Sequence, residues 1–294
     1  MSRPAMHDGL REEIRHRRDG RREEHRRASR PMSVQTDGSA VTRLHPLIPM
    51  PRATWESVVM RSWLFDGQGT EMATHLADIC GTAFHLADFP SGHRLFGQGE
   101  PGDRVYVIIS GLVKMSCTVA HGSEVVRDVK GPGDVVGELS IFDPGPRGES
   151  ATCQTLVRTG WLTGSSLRRL AHRHPDLTQR WLQALSRQVQ ERESEIADVV
   201  AADVATRVAR QIVGLADRFG QHVDPTVHVY HSLTRHEFAQ LAGARREAVS
   251  QALAKFVERG WLVTTPGGFD VYDLDALRRR AQGAFPDVRR RCPA

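Results

Sequence analysis

A change of period near Pro175 constrains this chain more than any other feature. Upstream of it, turn-forming residues recur roughly every eight to twelve positions: Pro90 to Gly92, Gly97 to Gly102, Gly111, His121 to Ser123, Gly131 to Gly133 and Pro144 to Gly148. Between them lie the short apolar segments FHLADF, HRLFGQG, RVYVIISGLVKMSCTVA, EVVRDVKGPGDVVGELSIF, ATCQTLV and GWLTG. That rhythm predicts an antiparallel β-sandwich or barrel, and the small residues at its corners suit a compact roll. Downstream, Leu182, Leu185, Val189, Ile196 and Val199 recur at alternating steps of three and four if Arg192 fills the one missing place. Such spacing is the a/d seam of a long helix. The chain is therefore expected to be α+β.

The seam has two readings. It fits a parallel two-helix dimer, with the charges of RQVQERESE on its flanks, or a single amphipathic helix lying on its own domain. ADVATRVARQIVGLADRFG continues as helix and stops at Gly220, a residue type common after helix ends. In LTRHEFAQLAGARREAVSQALAKFVERG, Thr234 followed by Glu237 matches a capping box. Ala239, Gly243 and Val249 then supply what a helix-turn-helix needs: a small crossing residue, a turn tolerant of positive φ, and an apolar anchor on the second helix. WLVTTPGGFDVYD reads as two strands about a glycine turn, a wing. Arg245 and Arg246 open the second helix, where donors meet phosphates and base edges when that turn enters a major groove. The alternative is an ordinary helical hairpin, against which the capping box, the Ala/Gly/Val triple, the two arginines and the wing count together.

Charge adds less than its total suggests. The net charge is +5, but residues 1–30 hold ten Arg against six Asp or Glu, leaving 30 basic against 29 acidic residues elsewhere. Residues 1–50 are rich in charge, serine and proline and are expected to be disordered, either a solvated tail or a nonspecific phosphate-binding arm. A short helix is expected from Trp55 to about Leu76. No apolar run is long enough to span a bilayer, and the arginine-rich start lacks the apolar core of a secretory signal, so a cytoplasmic chain without a membrane partner is expected. Cys80, Cys117, Cys153 and Cys292 are far apart and make no CxxC or Cys/His metal spacing. No nucleophile motif or phosphate-binding loop is present, and His172 and His174 beside Asp176 are better read as residues at a helix start than as an acid-base group, so no catalytic or metal residues are expected.

These features together resemble the cAMP receptor protein and FNR (CRP/FNR) family of bacterial transcription regulators over about residues 62–282, and GPGDVVGELSIFDPGPR is most similar to its actinobacterial members. The resemblance implies an effector-sensing β-roll of the cyclic-nucleotide-binding, jelly-roll type over 51–174. A dimerisation helix over 175–202, a hinge near Asp203 and a winged helix-turn-helix over 203–294 would follow. It implies an effector site around Gly137, Glu138, Leu139, Arg147, Glu149 and Ser150, completed by Arg192 and Glu193 from the long helix. Glu138 would take the ribose hydroxyl of a cyclic nucleotide and Arg147 its phosphate, with two parallel donors. Gly148 stands where the family has a Ser or Thr, and Glu149 where it has a small residue, next to the expected phosphate. Arg192 and Glu193 replace the polar pair that reads adenine. These departures point away from cAMP. Either Arg192 reads another nucleotide, such as a guanine-containing or cyclic dinucleotide, or it pairs with Glu149 or Glu193 in place of a ligand. No cofactor is required.

For DNA, the resemblance implies contacts from Thr234, Arg235, Arg245, Arg246, Glu247, Ser250 and Gln251. Arg246 suits guanine, Glu247 cytosine, and Gln251, where the family commonly has arginine, adenine. The implied partners are a palindromic double-stranded DNA site, a second copy of the chain and RNA polymerase. Two alternatives remain: a sensor module acting through protein partners, and a regulator that binds DNA without a ligand.

Overall fold

The computed structural model describes Arg43–Leu44, Val58, residues 83–119 and residues 122–283. The expected disordered tail and the expected helix from Trp55 lie outside them, with two exceptions. Val58 is helical and buried. Arg43–Leu44 form strand β1, pairing antiparallel with Asp88 and Ala87 along an edge that would otherwise carry unpaired backbone groups.

The roll consists of two antiparallel sheets. One has the order β1, β2 (His85–Phe89), β9 (Val157–Thr163), β4 (Arg104–Ser110), β7 (Val135–Val136). The other runs β3 (Arg94–Phe96), β8 (Ser150–Cys153), β5 (Val113–Thr118), β6 (Glu124–Lys130). Tyr106 and Ile108 of β4 point between the sheets, packing with Phe89, Met115 and Ala151, while Val105 and Val107 face the opposite side. That opposite side is covered by helix α2 (Gly164–Arg173) and the start of α3 (Pro175–Ala201) through Leu167 and Trp181. Burial on both faces explains why β4 reads as a continuous apolar run instead of alternating.

Two local expectations are corrected. GELSIF does not continue the strand: Gly137 adopts φ 86°, and Leu139–Phe142 make a single helical turn, α1. After β9 the chain turns straight into α2, because the Thr163 hydroxyl accepts from the Ser166 N–H as an N-cap. His172 lies in the last turn of α2 and His174 caps it, so both sit where α2 ends and α3 begins.

Helix α3 is about 40 Å long at 1.5 Å per residue over its 27 residues. Trp181 and Ala184 are buried on the roll and Leu185 packs partly against it, whereas Leu182, Val189 and Ile196 are 62%, 58% and 66% exposed. Leu185 thus leaves the open seam for the roll. The helix does not run on unbroken: Asp203, extended at ψ 163°, accepts from the Thr206 N–H and caps a new helix, α4 (Val204–Phe219).

Gly220 does end α4, at φ −67°, so positive φ is not what requires glycine. A Cβ there would lie 2.3 Å from the Ala216 carbonyl and 2.7 Å from Val227. The remaining elements are β10 (Gly220–Val223), β11 (Thr226–Tyr230), α5 (Arg235–Leu241), α6 (Arg246–Glu258), β12 (Leu262–Thr265), β13 (Gly268–Val271) and α7 (Leu274–Gln282). Their strands form one sheet ordered β10, β11, β13, β12. Val208, Ile212, Phe238, Leu253, Phe256 and Leu277 make its core with α4 to α7.

Candidate effector cradle and nucleic-acid interface

Arg147 is 4% exposed, an unusual place for a guanidinium. Its Nη1 donates to the Gly137 carbonyl at 2.5 Å and its Nη2 to the Arg104 carbonyl at 2.6 Å, while the group lies 4.3 Å over the Phe96 ring. Glycines make the room. A Cβ on Gly137 would sit 2.6 Å from Nη1, and one on Gly102 would sit 3.4 Å from Cζ. Two of the five N–H groups are spent on these carbonyls, and buried Nε has no hydrogen-bond partner among the described residues. Burial lowers the pKa of Arg147, and it raises that of Glu138, itself 6% exposed, against the nearby positive charges of Lys130 and Arg147. Residues distant in sequence thus enclose the Arg147 guanidinium, and its Nε donor is left unspent among the described residues.

Glu149 is half-buried and does not pair with Arg147. Burial pushes its pKa up, and Arg127, Arg192 and Lys130 act in the opposite direction. Arg192 reaches from α3 to Asp128 of β6, Nη2 to Oδ2 at 3.6 Å. Asp128 also takes Lys130 at 2.8 Å and Arg218 of α4 at 3.3 Å. Although partial burial would raise the pKa of Asp128, these three cations hold it below the usual carboxylate range. Arg192 thus makes an ion pair with Asp128, while Glu149 lies in its field and Glu193 is exposed. Ser150 accepts from the Gln98 N–H at 2.9 Å, Leu139 is 58% exposed, and a Cβ at Gly148 would meet nothing within 4 Å.

Sequence reasoning missed Asp128, Arg127 and Lys130. A signal was present: VVRDV breaks strict alternation. The register shift between Met115 and Ser116 sets Asp128 opposite Met115 and Val126 opposite Ser116, leaving Arg127 as an extra residue. Val126 and Val129 can both be buried, and Asp128 turns toward the cations.

The second site is built on α5 and α6. Thr234 Oγ1 accepts from the Glu237 N–H at 3.2 Å and the Glu237 carboxylate accepts from the Thr234 N–H at 2.8 Å, a complete capping box. Ala239 and Val249 are buried, and Gly243 has φ 60°. The Ala244 N–H donates to the Ala239 carbonyl at 3.0 Å, closing the turn between the helices. Arg245 occupies the N-cap of α6 without a side-chain cap, since a guanidinium cannot accept. Thr234, Arg235, Arg245, Arg246, Glu247 and Gln251 are exposed and Ser250 is half-buried. Beside them Thr265 and Gly268 pair across Pro266 and Gly267, the latter at φ 71°, forming the wing, and Arg235 Nη2 lies 3.4 Å from Thr264 Oγ1.

Residues 86–174 match the cyclic nucleotide-binding domain and residues 206–280 the Crp-like helix-turn-helix domain. A CRP-like cAMP-activated global transcriptional regulator from Mycobacterium tuberculosis is 44% identical over 195 residues, 66% of this chain and 87% of that protein. The chain belongs to the CRP/FNR family of transcription regulators. The cyclic AMP receptor protein of Thermus thermophilus is a more distant CRP/FNR relative, 29% identical over 72% of this chain and 95% of that one. FixK2 from Bradyrhizobium japonicum shares the fold at a TM-score of 0.59 and 18% identity, covering 67% of this chain and 96% of that one. CRP/FNR proteins are transcription regulators, not enzymes. Among the described residues Cys117 and Cys153 are free, and burial pushes the Cys153 thiol up to about 12, far from a reactive thiolate. No helix of the described residues is long and apolar enough to cross a membrane.

Proposed function

We propose that this regulator binds an inverted-repeat site on double-stranded DNA as a homodimer, and that a phosphate-bearing nucleotide in the roll adjusts its affinity. The observation that carries the proposal is Arg147: a buried guanidinium walled by glycines, with an Nε donor that no described side chain or carbonyl uses. A phosphate oxygen is a fitting acceptor for it. The two cations that act on both Glu149 and Asp128, Lys130 and Arg192, favour a cyclic nucleotide or cyclic dinucleotide larger or more acidic than cAMP over cAMP itself. On α6, exposed Arg246 and Glu247 suit a guanine and a cytosine and Gln251 an adenine. The apolar stripe of Leu182, Val189 and Ile196 fits a second copy of α3. Such a regulator would act in the cytoplasm and in contact with RNA polymerase.

The Arg192–Asp128 pair favours a second reading, in which the chain supplies its own counter-charge and binds DNA without a ligand. One experiment separates the two. Affinity for a selected palindrome is measured with cAMP, cGMP and cyclic dinucleotides, for the natural chain and for Arg147→Ala. The first reading expects a nucleotide to change DNA affinity about fivefold or more, a coupling of about 1 kcal/mol, and the change to vanish in Arg147→Ala. Tight binding that no nucleotide alters supports the second.

A further inference from the structure

The helix-turn-helix does not hang free from its hinge. Its first helix, α5, lies against the open edge of β6, the last strand of the second sheet. The Gln240 carboxamide behaves there as a short piece of added strand: its Nε2 donates to the Glu124 carbonyl at 2.7 Å and its Oε1 accepts from the Val126 N–H at 3.2 Å. One turn earlier, Glu237 accepts from Lys114 Nζ at 2.6 Å, and Lys114 is only 9% exposed. Burial disfavours that ammonium, but Glu237 and Glu124 outweigh it and hold its pKa above the usual value. Arg218 pins α4 to the same strand and the following turn, at 3.3 Å from Asp128 and 2.7 Å from Asp134. Phe219 fills the space a Cβ on Gly131 would need, since that Cβ would come within 2.3 Å of the ring.

This contact leaves the reading surface open. Arg235, Arg245, Arg246 and Gln251 are exposed, while Glu237 and Gln240 of α5 meet the roll. We infer that Lys114 and Gln240 are positioning residues for DNA reading: by fixing α5 on the edge of β6 they set the separation and angle at which two copies present α6. The inference rests on the homodimer reading, because only a pair of reading heads has a spacing to set. It differs from the helix seam and the effector cradle in its residues and in its consequence, which is selectivity for the distance between half-sites.

The test uses the full chain and a series of palindromes whose half-sites are moved apart or together by single base pairs. The natural protein is expected to bind one spacing best. Lys114→Met combined with Gln240→Met is expected to bind that spacing about tenfold more weakly and to lose most of its preference over neighbouring spacings, since a charged and a neutral polar contact are removed. Base preference within each half-site stays as in the natural chain. Lys114→Arg, which keeps the charge, is expected to retain the spacing optimum. Hydrogen exchange gives a second measurement independent of DNA: the Val126 amide is expected to exchange faster in Gln240→Met. A double variant that remains dimeric by sedimentation and keeps the natural spacing profile would overturn the inference while leaving the dimer intact. A natural chain that sediments as a monomer and shows no spacing optimum would remove the dimer reading and this inference with it.

Discussion

Single residues in this protein are constrained by what surrounds them more than by their own propensities, and His231 shows it most clearly. It is 3% exposed, stacked on Phe238 with centroids 5.5 Å apart, and its Nδ1 accepts from the Leu233 N–H at 3.0 Å. Burial lowers its pKa to about 4, against 6.5 for an ordinary histidine, with the charge of Glu237 opposing the shift weakly. Because the folded pKa lies below the unfolded one, the unfolded chain binds more protons between about pH 6.5 and 4, and stability falls as pH drops through that window. The full effect has an upper bound of about 3 kcal/mol. Urea denaturation of the natural chain at pH 7.5 and pH 5 should show a loss that His231→Asn, which keeps an acceptor for Leu233, largely lacks. Equal losses in both chains would place the acid sensitivity elsewhere. Gly220 is constrained by space in the same way, and Gly220→Ala should cost about 1 to 3 kcal/mol by thermal denaturation, since two of its close contacts are backbone. Sequence reasoning identified Gly220 as a helix stop because glycine is common after helix ends; the reason here, a close approach to Ala216 and Val227, is a tertiary fact that no local pattern carries.

Among elements, those whose signals are local were legible and those that depend on partners were not. The capping box at Thr234, the turn at Gly243 and the wing at Pro266 and Gly267 each follow from a few adjacent residues, and all three are present. The β10–β11 hairpin gives little signal because β10 is polar and exposed, and α7 is short, with three consecutive arginines among its nine residues. The Asp128 cluster was invisible for a related reason: its members come from β6, α3 and α4, and only the fold brings Arg192 and Arg218 to one carboxylate. The same contrast applies to α6, the proposed reading helix. Its exposed face is written in REAVSQ, so base preference can be argued from sequence. Arg246→Ala should cost about 1 to 3 kcal/mol at one base position in each half-site and relax preference there, read by binding to a set of single-base variants. Unchanged preference at every position would remove α6 as the reader.

At the scale of the whole molecule, the proposed homodimer turns on the long helix, which would decide whether two reading heads act together. Leu182, Val189 and Ile196 form an open stripe on α3, each separated from the next by a heptad, while the same helix buries Trp181 and Ala184 on its own roll. The sequence seam combined these two faces, which is why Leu185 was placed on the stripe although it leans on the roll. An isolated stripe of large apolar side chains is costly to leave in water, at roughly 25 cal/mol for each Å² of apolar surface, and a second α3 would bury it. Val189→Glu with Ile196→Glu puts like charges face to face across that contact while leaving the roll side of α3 untouched. The double variant is expected to sediment as a monomer and to lose affinity for a palindrome by about a hundredfold or more, because two linked half-sites gain that much over single ones. Its affinity for an isolated half-site should match that of the natural chain, since the side chains of α6 are unchanged. If the variant instead stays dimeric and keeps its palindrome affinity, the stripe is not the surface that pairs the two copies, and the source of any spacing preference would have to be sought elsewhere on the molecule.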